Sequence, residues 1–278
     1  MLWRSFLILA VMIATPPGVR AEPLVLDGRV EPSRAAVVST RLDGVVAEVL
    51  FEEGEAVEAG QPLILLDPVD AELALAVAEA ELARAEAEMT GATRNAARQE
   101  ALFERGVAAD AVVGPARTRK AAAEAGLQLA RAERDRAALD LKRAVIRAPL
   151  SGVISAPAVV IGQFLEAEAG PPLATIAVLD PVVVAYPIPY ADRLRSLADS
   201  GAATVEALLA RVTLSLILPG DRRFGATATP DRASPIVDAA NGTVTVRATF
   251  ENPDRLLRPG MAVTVLSEIG PAGRDLSQ

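Results

Sequence analysis

Two stretches of this chain repeat one pattern, with about eighty residues of different character between them. The first, DGVVAEVLFEEGEAVEAGQPLILLDP, runs from Asp43 to Pro68; the second, SGVISAPAVVIGQFLEAEAGPPLATIAVLDP, from Ser151 to Pro181. Gly44 and Gly152 lie 108 positions apart, as do Gly54 and Gly162. The offset grows to 110 at Gly60 and Gly170 and to 113 at Asp67-Pro68 and Asp180-Pro181, so the second copy carries a small loop insertion. Self-similarity at a fixed offset marks one structural unit used twice. Within each copy, short apolar runs read as strands, and Gly44, Gly54, Gly152 and Gly162 read as structural turn glycines, placed where other residues resist the backbone conformation. Neither copy has enough strand to bury a core alone, so the two are expected to face each other.

The insertion changes period from two to a helical one at Val69, with hardly a glycine or proline until Gly106. Leu75, Leu82, Met89, Ala96 and Phe103 recur every seven residues, with Ala78, Ala85 and Ala92 three places after the first three. That is the seam of a coiled coil, and its small residues let a partner helix approach closely. Val69–Arg105 would make about 55 Å of helix. Glu79, Glu81, Arg84, Glu86 and Glu88 alternate charge on the remaining faces, as on an exposed helix laced with ion pairs. Gly106 to Asp110 reads as a turn, with Gly106 as C-cap and Asp110 as N-cap. A second helix then runs to about Arg143, with Leu129, Ala132 and Leu139 on its seam and a start or kink at Gly114-Pro115. Two long antiparallel helices joined by a short turn form a hairpin.

Beyond Pro181, strands VVVAYPIP, VTLSLIL, RFGATAT, GTVTVRATF and MAVTVLS alternate with turns at Pro219-Gly220, Asn241-Gly242, Asn252-Pro253 and Pro259-Gly260. One or two short helices lie within Tyr190–Ala210. Strands at this spacing suggest a small β-barrel. The expected architecture is α+β, multidomain and elongated. A split lipoyl-like β-sandwich (residues 22–68 and 146–181) carries the inserted coiled-coil hairpin (69–145), and a β-barrel domain (182–268) and a tail (269–278) follow.

Composition then removes most of enzymology. Among the 278 residues there is no Cys and no His, so Ser-His and Cys-His catalysis and the common zinc and copper sites are not available. The 36 Asp and Glu against 28 Lys and Arg give a net charge of −8, the wrong sign for nucleic acid. Adjacent carboxylates such as Glu52-Glu53 read as turn-surface charge, with no apolar pocket to tune them. The expectation is a protein without catalytic residues, cofactor or metal. At the N-terminus Arg4, the apolar run Phe6–Ala14 and the small-x-small Val19-Arg20-Ala21 read as a secretory leader cleaved after Ala21. The apolar run stops at Thr15-Pro16-Pro17-Gly18, short of the roughly 20 residues that span a bilayer. Export without disulfides points to a bacterial periplasm.

Four segments together carry a resemblance: GVVAEVLFEEGEAVEAGQPLILLD from Gly44, LFERGVA from Leu102, IRAPLSGVIS from Ile146, and ANGTVTVRATFENPDRLLRPGMAVTV from Ala240. In this order they resemble the periplasmic adaptor subunits, or membrane fusion proteins, of bacterial tripartite efflux pumps of the resistance-nodulation-division type. The resemblance implies a non-catalytic adaptor that links an inner-membrane transporter to an outer-membrane channel and assembles with copies of itself, as a hexameric ring, into a conduit. It also implies a membrane-proximal domain built from both chain ends, for which little sequence follows Ser267. The family's hairpin tip docks on the channel through an Arg, a Leu four residues on and a Ser seven further. Arg98 and Leu102 match, Ala109 stands at the Ser position, and Arg105 and Gly106 complete the candidate docking tip.

Two other readings use the same residues. An adaptor of an ATP-driven exporter or secretion system would share the whole pattern. A lipoyl- or biotinyl-type carrier would need a Lys at the turn joining the two copies, whereas Lys120 and Lys142, the two lysines of the chain, both fall in the second helix. Delivery of metal ions through Met, His or Cys would have to rest on Met89 and Met261 once the leader is removed, and Met89 is on the seam.

Overall fold

The computed structural model describes residues 24–107, 109–167 and 170–270. The leader expected over residues 1–21 lies outside them, as do Ala108 of the hairpin turn and all but the first two residues of the expected tail. The chain divides into two compact units, Ser33–Leu179 and the residues up to Pro32 together with those from Asp180 onward. The first strand, β1 (Leu24–Pro32), belongs to the second of these, although it was expected with the first lipoyl-like half. Its ladder partners come from 150 or more residues later in the chain, and adjacency in sequence says nothing of them.

The unit Ser33–Leu179 contains β2 (Ala35–Val38), β3 (Gly44–Val49), β4 (Ala56–Val57) and β5 (Pro62–Leu66), then α1 (Val69–Glu104) and α2 (Asp110–Arg143). It continues with β6 (Val145–Arg147), β7 (Gly152–Ile154), β8 (Phe164–Leu165) and β9 (Ala174–Ala177). Its two four-stranded sheets run β2-β9-β7-β4 and β6-β5-β3-β8. The two copies exchange strands: β4 of the first pairs with β7 of the second, and β8 of the second with β3 of the first.

The exchange obeys the 108-residue offset down to single hydrogen bonds. Gly54 N–H donates to the Ile154 carbonyl at 2.9 Å, and Gly162 N–H donates to the Val46 carbonyl at 2.8 Å. Leu50 donates to Leu63 as Ala158 donates to Leu173, each at 2.8 Å. Even the loop side chains correspond, with Glu55 Oε2 accepting from Glu52 N–H and Gln163 Oε1 from Val160 N–H. Leu63, Ile64, Ile154 and Ile176 fill the space between the sheets and are at most 1% exposed. Each such side chain contributes about 1.5–3 kcal/mol by burial.

Of the four glycines expected in turns, Gly54 (φ 82°) and Gly162 (φ 86°) have the left-handed backbone that favours glycine. Gly44 and Gly152 do not sit in turns; they open β3 and β7. At Gly152 the requirement is one of space, since an added Cβ would lie 2.6 Å from the Ala177 carbonyl oxygen.

In the hairpin, Leu75, Ala78, Leu82, Ala85, Met89, Ala92 and Ala96 are the covered positions of the expected α1 seam, and Ala85 packs with Leu127 and Ala130 of α2. Phe103 is off it, 45% exposed near the tip. On α2 the expected seam is displaced. Leu129 and Leu139 are 61% and 46% exposed and Ala132 is exposed, while Val113, Ala116, Leu127, Ala130 and Ala137 are buried. Lys120, Ala123, Arg134 and Leu141 continue that row, half-buried. Leu127 and Leu141 lie on the covered row and Leu129 and Leu139 off it, so the leucines by themselves do not select the face, and the Ala, Lys and Arg at covered positions hide it further. Arg84 pairs with Glu81 and Glu88 on the outer face of α1, and its pKa is raised by those bonds and charges. Helix α2 begins at Asp110, with Pro115 six residues in.

The second unit adds β10 (Val182–Pro189), α3 (Tyr190–Ser200), α4 (Val205–Leu209), β11 (Val212–Leu218), β12 (Arg222–Ala228), β13 (Pro230–Ala233), β14 (Thr243–Phe250) and β15 (Ala262–Ile269). Its sheet runs β12-β11-β15-β1-β10-β14-β13. The outermost strands, β12 and β13, are joined through residue 229 alone, so the sheet must curl until its edges meet. Tyr186, Leu214, Leu216, Val246, Phe250 and Val265 fill the interior. Ile269 pairs with Val212 and so belongs to β15, although it was expected in the tail.

Candidate functional site

The tip of the helical hairpin is built by backbone chemistry. Helix α1 ends at Glu104, Arg105 is its C-cap, and Gly106 follows at φ 72°. Gly106 N–H donates to the Phe103 carbonyl and Val107 N–H to the Leu102 carbonyl, both at 2.9 Å. This paired closure satisfies carbonyls that a helix end leaves without intrahelical donors, and it needs a left-handed residue at Gly106. Asp110 was expected as the N-cap of α2, but Ala109 holds that place in extended backbone (φ −78°, ψ 150°), without a side-chain cap bond. Asp110 is instead the first helical residue, where its carboxylate complements the positive end of the helix dipole.

The structure brings the five predicted tip residues to one end of the hairpin. Arg98 is exposed, donating from Nη2 to Asn95 Oδ1 at 2.9 Å, and Leu102, half-buried, is one turn further along α1. Arg105, Gly106 and Ala109 are exposed in and beside the turn. Just behind them Arg117 Nε of α2 donates to Glu100 Oε1 of α1 at 2.7 Å, tying the helices together. That hydrogen bond, with the Glu100 charge, raises the Arg117 pKa. Sequence reasoning left two apolar residues of this end out of the docking tip, expecting Phe103 on the seam and Val107 within the turn. Val107 is 73% exposed and Phe103 45%, giving the tip an apolar cap beside its two arginines.

Ala109→Ser would put a hydroxyl at the N-cap, where it can accept from the amide of Ala111 or Val112. We expect about 1 kcal/mol of local stabilisation, read as roughly fivefold greater hydrogen-exchange protection at the start of α2. Protection unchanged within twofold would show that this turn does not respond to capping. Any gain in docking by this variant has to be compared with that gain in helix order.

No helix among the described residues is long and apolar enough to cross a membrane. Among the same residues no cluster of three or more Asp and Glu is arranged to hold a metal ion.

Comparison with known proteins adds to this geometry. A family model described as the RND MFP barrel-sandwich hybrid domain matches residues 34–177, and one described as the RND MFP beta-barrel domain matches residues 181–270. The chain is 30% identical over 245 residues to multidrug resistance protein MdtE of Escherichia coli K12, covering 88% of this chain and 64% of that protein. It is 29% identical over 256 residues to the multidrug efflux pump subunit AcrA of the same strain, covering 91% and 64%. With the toluene efflux pump periplasmic linker protein TtgA of Pseudomonas putida it shares 30% over 239 residues, covering 86% and 59%. The chain thus spans 64% of the length of MdtE and AcrA.

Among solved structures, a MacA-MexA chimeric protein with the Pseudomonas aeruginosa MexA α-hairpin domain has a TM-score of 0.64 at 19% identity, covering 90% of this chain and 79% of that one. ZneB from Cupriavidus metallidurans has 0.53 at 24%, covering 89% and 98%. Both show a shared fold.

Proposed function

Since the chain belongs to the RND membrane fusion protein family, we propose that it is a non-catalytic periplasmic adaptor joining an inner-membrane efflux transporter to an outer-membrane channel. One observation carries this reading: a rigid two-helix hairpin, closed by the Gly106 turn, leaves the exchanged pair of β-copies and presents an exposed tip with Phe103, Val107, Arg98 and Arg105. An arrangement of this kind reaches and docks. The relatives named as pump subunits and periplasmic linkers support it.

In this reading the tip residues Arg98, Leu102, Arg105, Gly106 and Ala109 meet the channel, and the β-barrel domain of residues 182–268 meets the transporter. The lipoyl-like halves stack against those of neighbouring copies in a ring, six being the family's number. A leader over residues 1–21 would deliver the chain to the periplasm. The outermost positions of the hairpin decide affinity for the channel, since desolvated anchors near the centre of an interface dominate binding.

Leu102→Asp, at unchanged chain level, is expected to weaken crosslinking of the tip to the outer-membrane channel by about tenfold, equivalent to about 1.4 kcal/mol, and to lower export accordingly. A photo-crosslinker at Val107 should mark the channel, and one on β12 the co-encoded transporter. Normal export by Leu102→Asp, with no channel adduct at Val107, would sink the docking assignment. Absence of a complex with any co-encoded transporter would sink the adaptor reading as a whole.

A further inference from the structure

The β-barrel unit contains a cavity of about 520 Å³ beneath α3 and α4, within the range of small-molecule sites, about 300–1,000 Å³. Two of its polar groups have no partner in the protein. Tyr186 of β10 is 1% exposed, and its hydroxyl makes no hydrogen bond. Arg193 of α3 is 7% exposed and has no ion pair or side-chain hydrogen bond among the described residues, while its guanidinium nitrogens keep some contact with solvent. A buried hydroxyl left unpaired costs about 1–3 kcal/mol. Native interiors rarely keep such a hydroxyl, and Tyr186 and Arg193 line the same space.

Both groups are donors in need of an acceptor. Burial raises the Tyr186 pKa, so the phenol keeps its proton, and the nearby Arg193 charge offsets this in part. Arg cannot give up its proton at all. Ile188, Leu208, Leu209 and Val212 give the cavity an apolar side, and Ser196, Ser200 and Ser267 also line it. Two carboxylates also line it. Asp192 is engaged by Arg195, while Asp199 has no ion pair among the described residues and disfavours a ligand with more than one negative charge. Asp231, whose charge also acts on Tyr186, is held by Arg232 and the Thr249 hydroxyl.

We propose that this cavity binds a monoanionic amphiphile, a carboxylate on an apolar tail, with its head between the Tyr186 hydroxyl and the Arg193 guanidinium. The head supplies the missing acceptor for both donors, and the tail covers the apolar wall. The site is independent of the adaptor reading, since it needs only the barrel unit.

Calorimetric titration of the full chain with decanoate tests this, with decanol as the uncharged counterpart. Decanoate is expected to saturate one site and to bind about tenfold tighter than decanol. Tyr186→Phe should weaken decanoate about fivefold, with the denaturation midpoint unchanged or higher, because the variant removes an unpaired hydroxyl. Arg193→Met should abolish the preference for decanoate over decanol. Absence of saturable decanoate binding, equal affinity for the two probes, or full decanoate affinity in Tyr186→Phe would each overturn the proposal.

Discussion

Gly152→Ala is expected to lower the stability of the exchanged β-unit by about 2–3 kcal/mol, while Gly44→Ala, the same change at the equivalent place in the other copy, is expected to be nearly neutral. The two glycines are 108 residues apart and open equivalent strands. What differs is the space behind them. A Cβ on Gly152 would meet the Ala177 carbonyl oxygen at 2.6 Å, the Ala177 carbonyl carbon at 3.0 Å and Ile176 Cγ2 at 3.0 Å. A backbone oxygen in a paired strand cannot rotate away, so β7 or β9 must shift and strain the ladder that joins them. At Gly44 the nearest atom is Leu66 Cδ1 at 3.5 Å, an ordinary contact. Replacing glycine there also removes unfolded-state freedom, an effect of about 0.5–1 kcal/mol in the stabilising direction. Denaturant titration of both variants beside the parent checks this, and equal midpoints for the two would refute the steric argument.

The second large effect is expected at Asn252, where substitution by Leu should cost the barrel unit about 3 kcal/mol. Asn252 is 1% exposed. Its Nδ2 donates to the Leu257 carbonyl at 2.8 Å, and its Oδ1 accepts from the Leu257 amide at 3.0 Å. This two-bond clamp closes a loop in which Arg255 has positive φ, and the Asn252 amide in turn donates to Asp180 Oδ1 at 2.8 Å. Leucine has the same branched skeleton with bulkier ends, leaves both Leu257 groups without that partner, and Leu257 is fully buried. Each orphaned group costs about 1–3 kcal/mol. Asn241 provides the comparison. Its Oδ1 also accepts from a backbone amide, that of Thr243, but in an exposed turn where water can replace it. Asn241→Ala is therefore expected to stay within about 1 kcal/mol. If it destabilises as much as Asn252→Leu, burial is not what makes the Asn252 clamp count.

Much of the architecture is written in the sequence because the repeat and the heptads are periodic signals. The offset between Gly54 and Gly162 reappears as matched hydrogen bonds, and the α1 seam from Leu75 to Ala96 is the covered face. The α2 seam was obscured because Leu129 and Leu139, the conspicuous apolar residues, point outward while Ala130 and Ala137 point in. Strand exchange between the copies leaves no local trace, since a strand has the same alternation whichever copy it pairs with. The same holds for β1, whose register against β15 and β10 is fixed by residues far along the chain. For the hairpin tip, the turn glycine and its neighbours were legible. The exchange of N-cap duty from Asp110 to Ala109 was not, because the two are adjacent and differ by a single backbone angle pair. The cavity at Tyr186 and Arg193 was invisible for a different reason: VVVAYPIP read as a strand and the following segment as a short helix, and it is their packing that buries the Tyr186 hydroxyl and most of Arg193.

The way the hairpin is joined to the β-unit has a bearing on how such a chain can vary in length. Leu65 of β5 pairs directly with Val145 of β6, eighty positions away, because antiparallel helices begin and end at the same place. For the sheet, the whole insertion acts as a short connector. The entropy of closing it is set by the junctions near Asp67 and Ala144, and not by the number of residues that travel out and back. Adding or deleting one heptad in each helix would move the tip by about 10 Å and leave those junctions as they are. The span of the arm is thus a dimension that can drift freely while the base that holds it stays fixed.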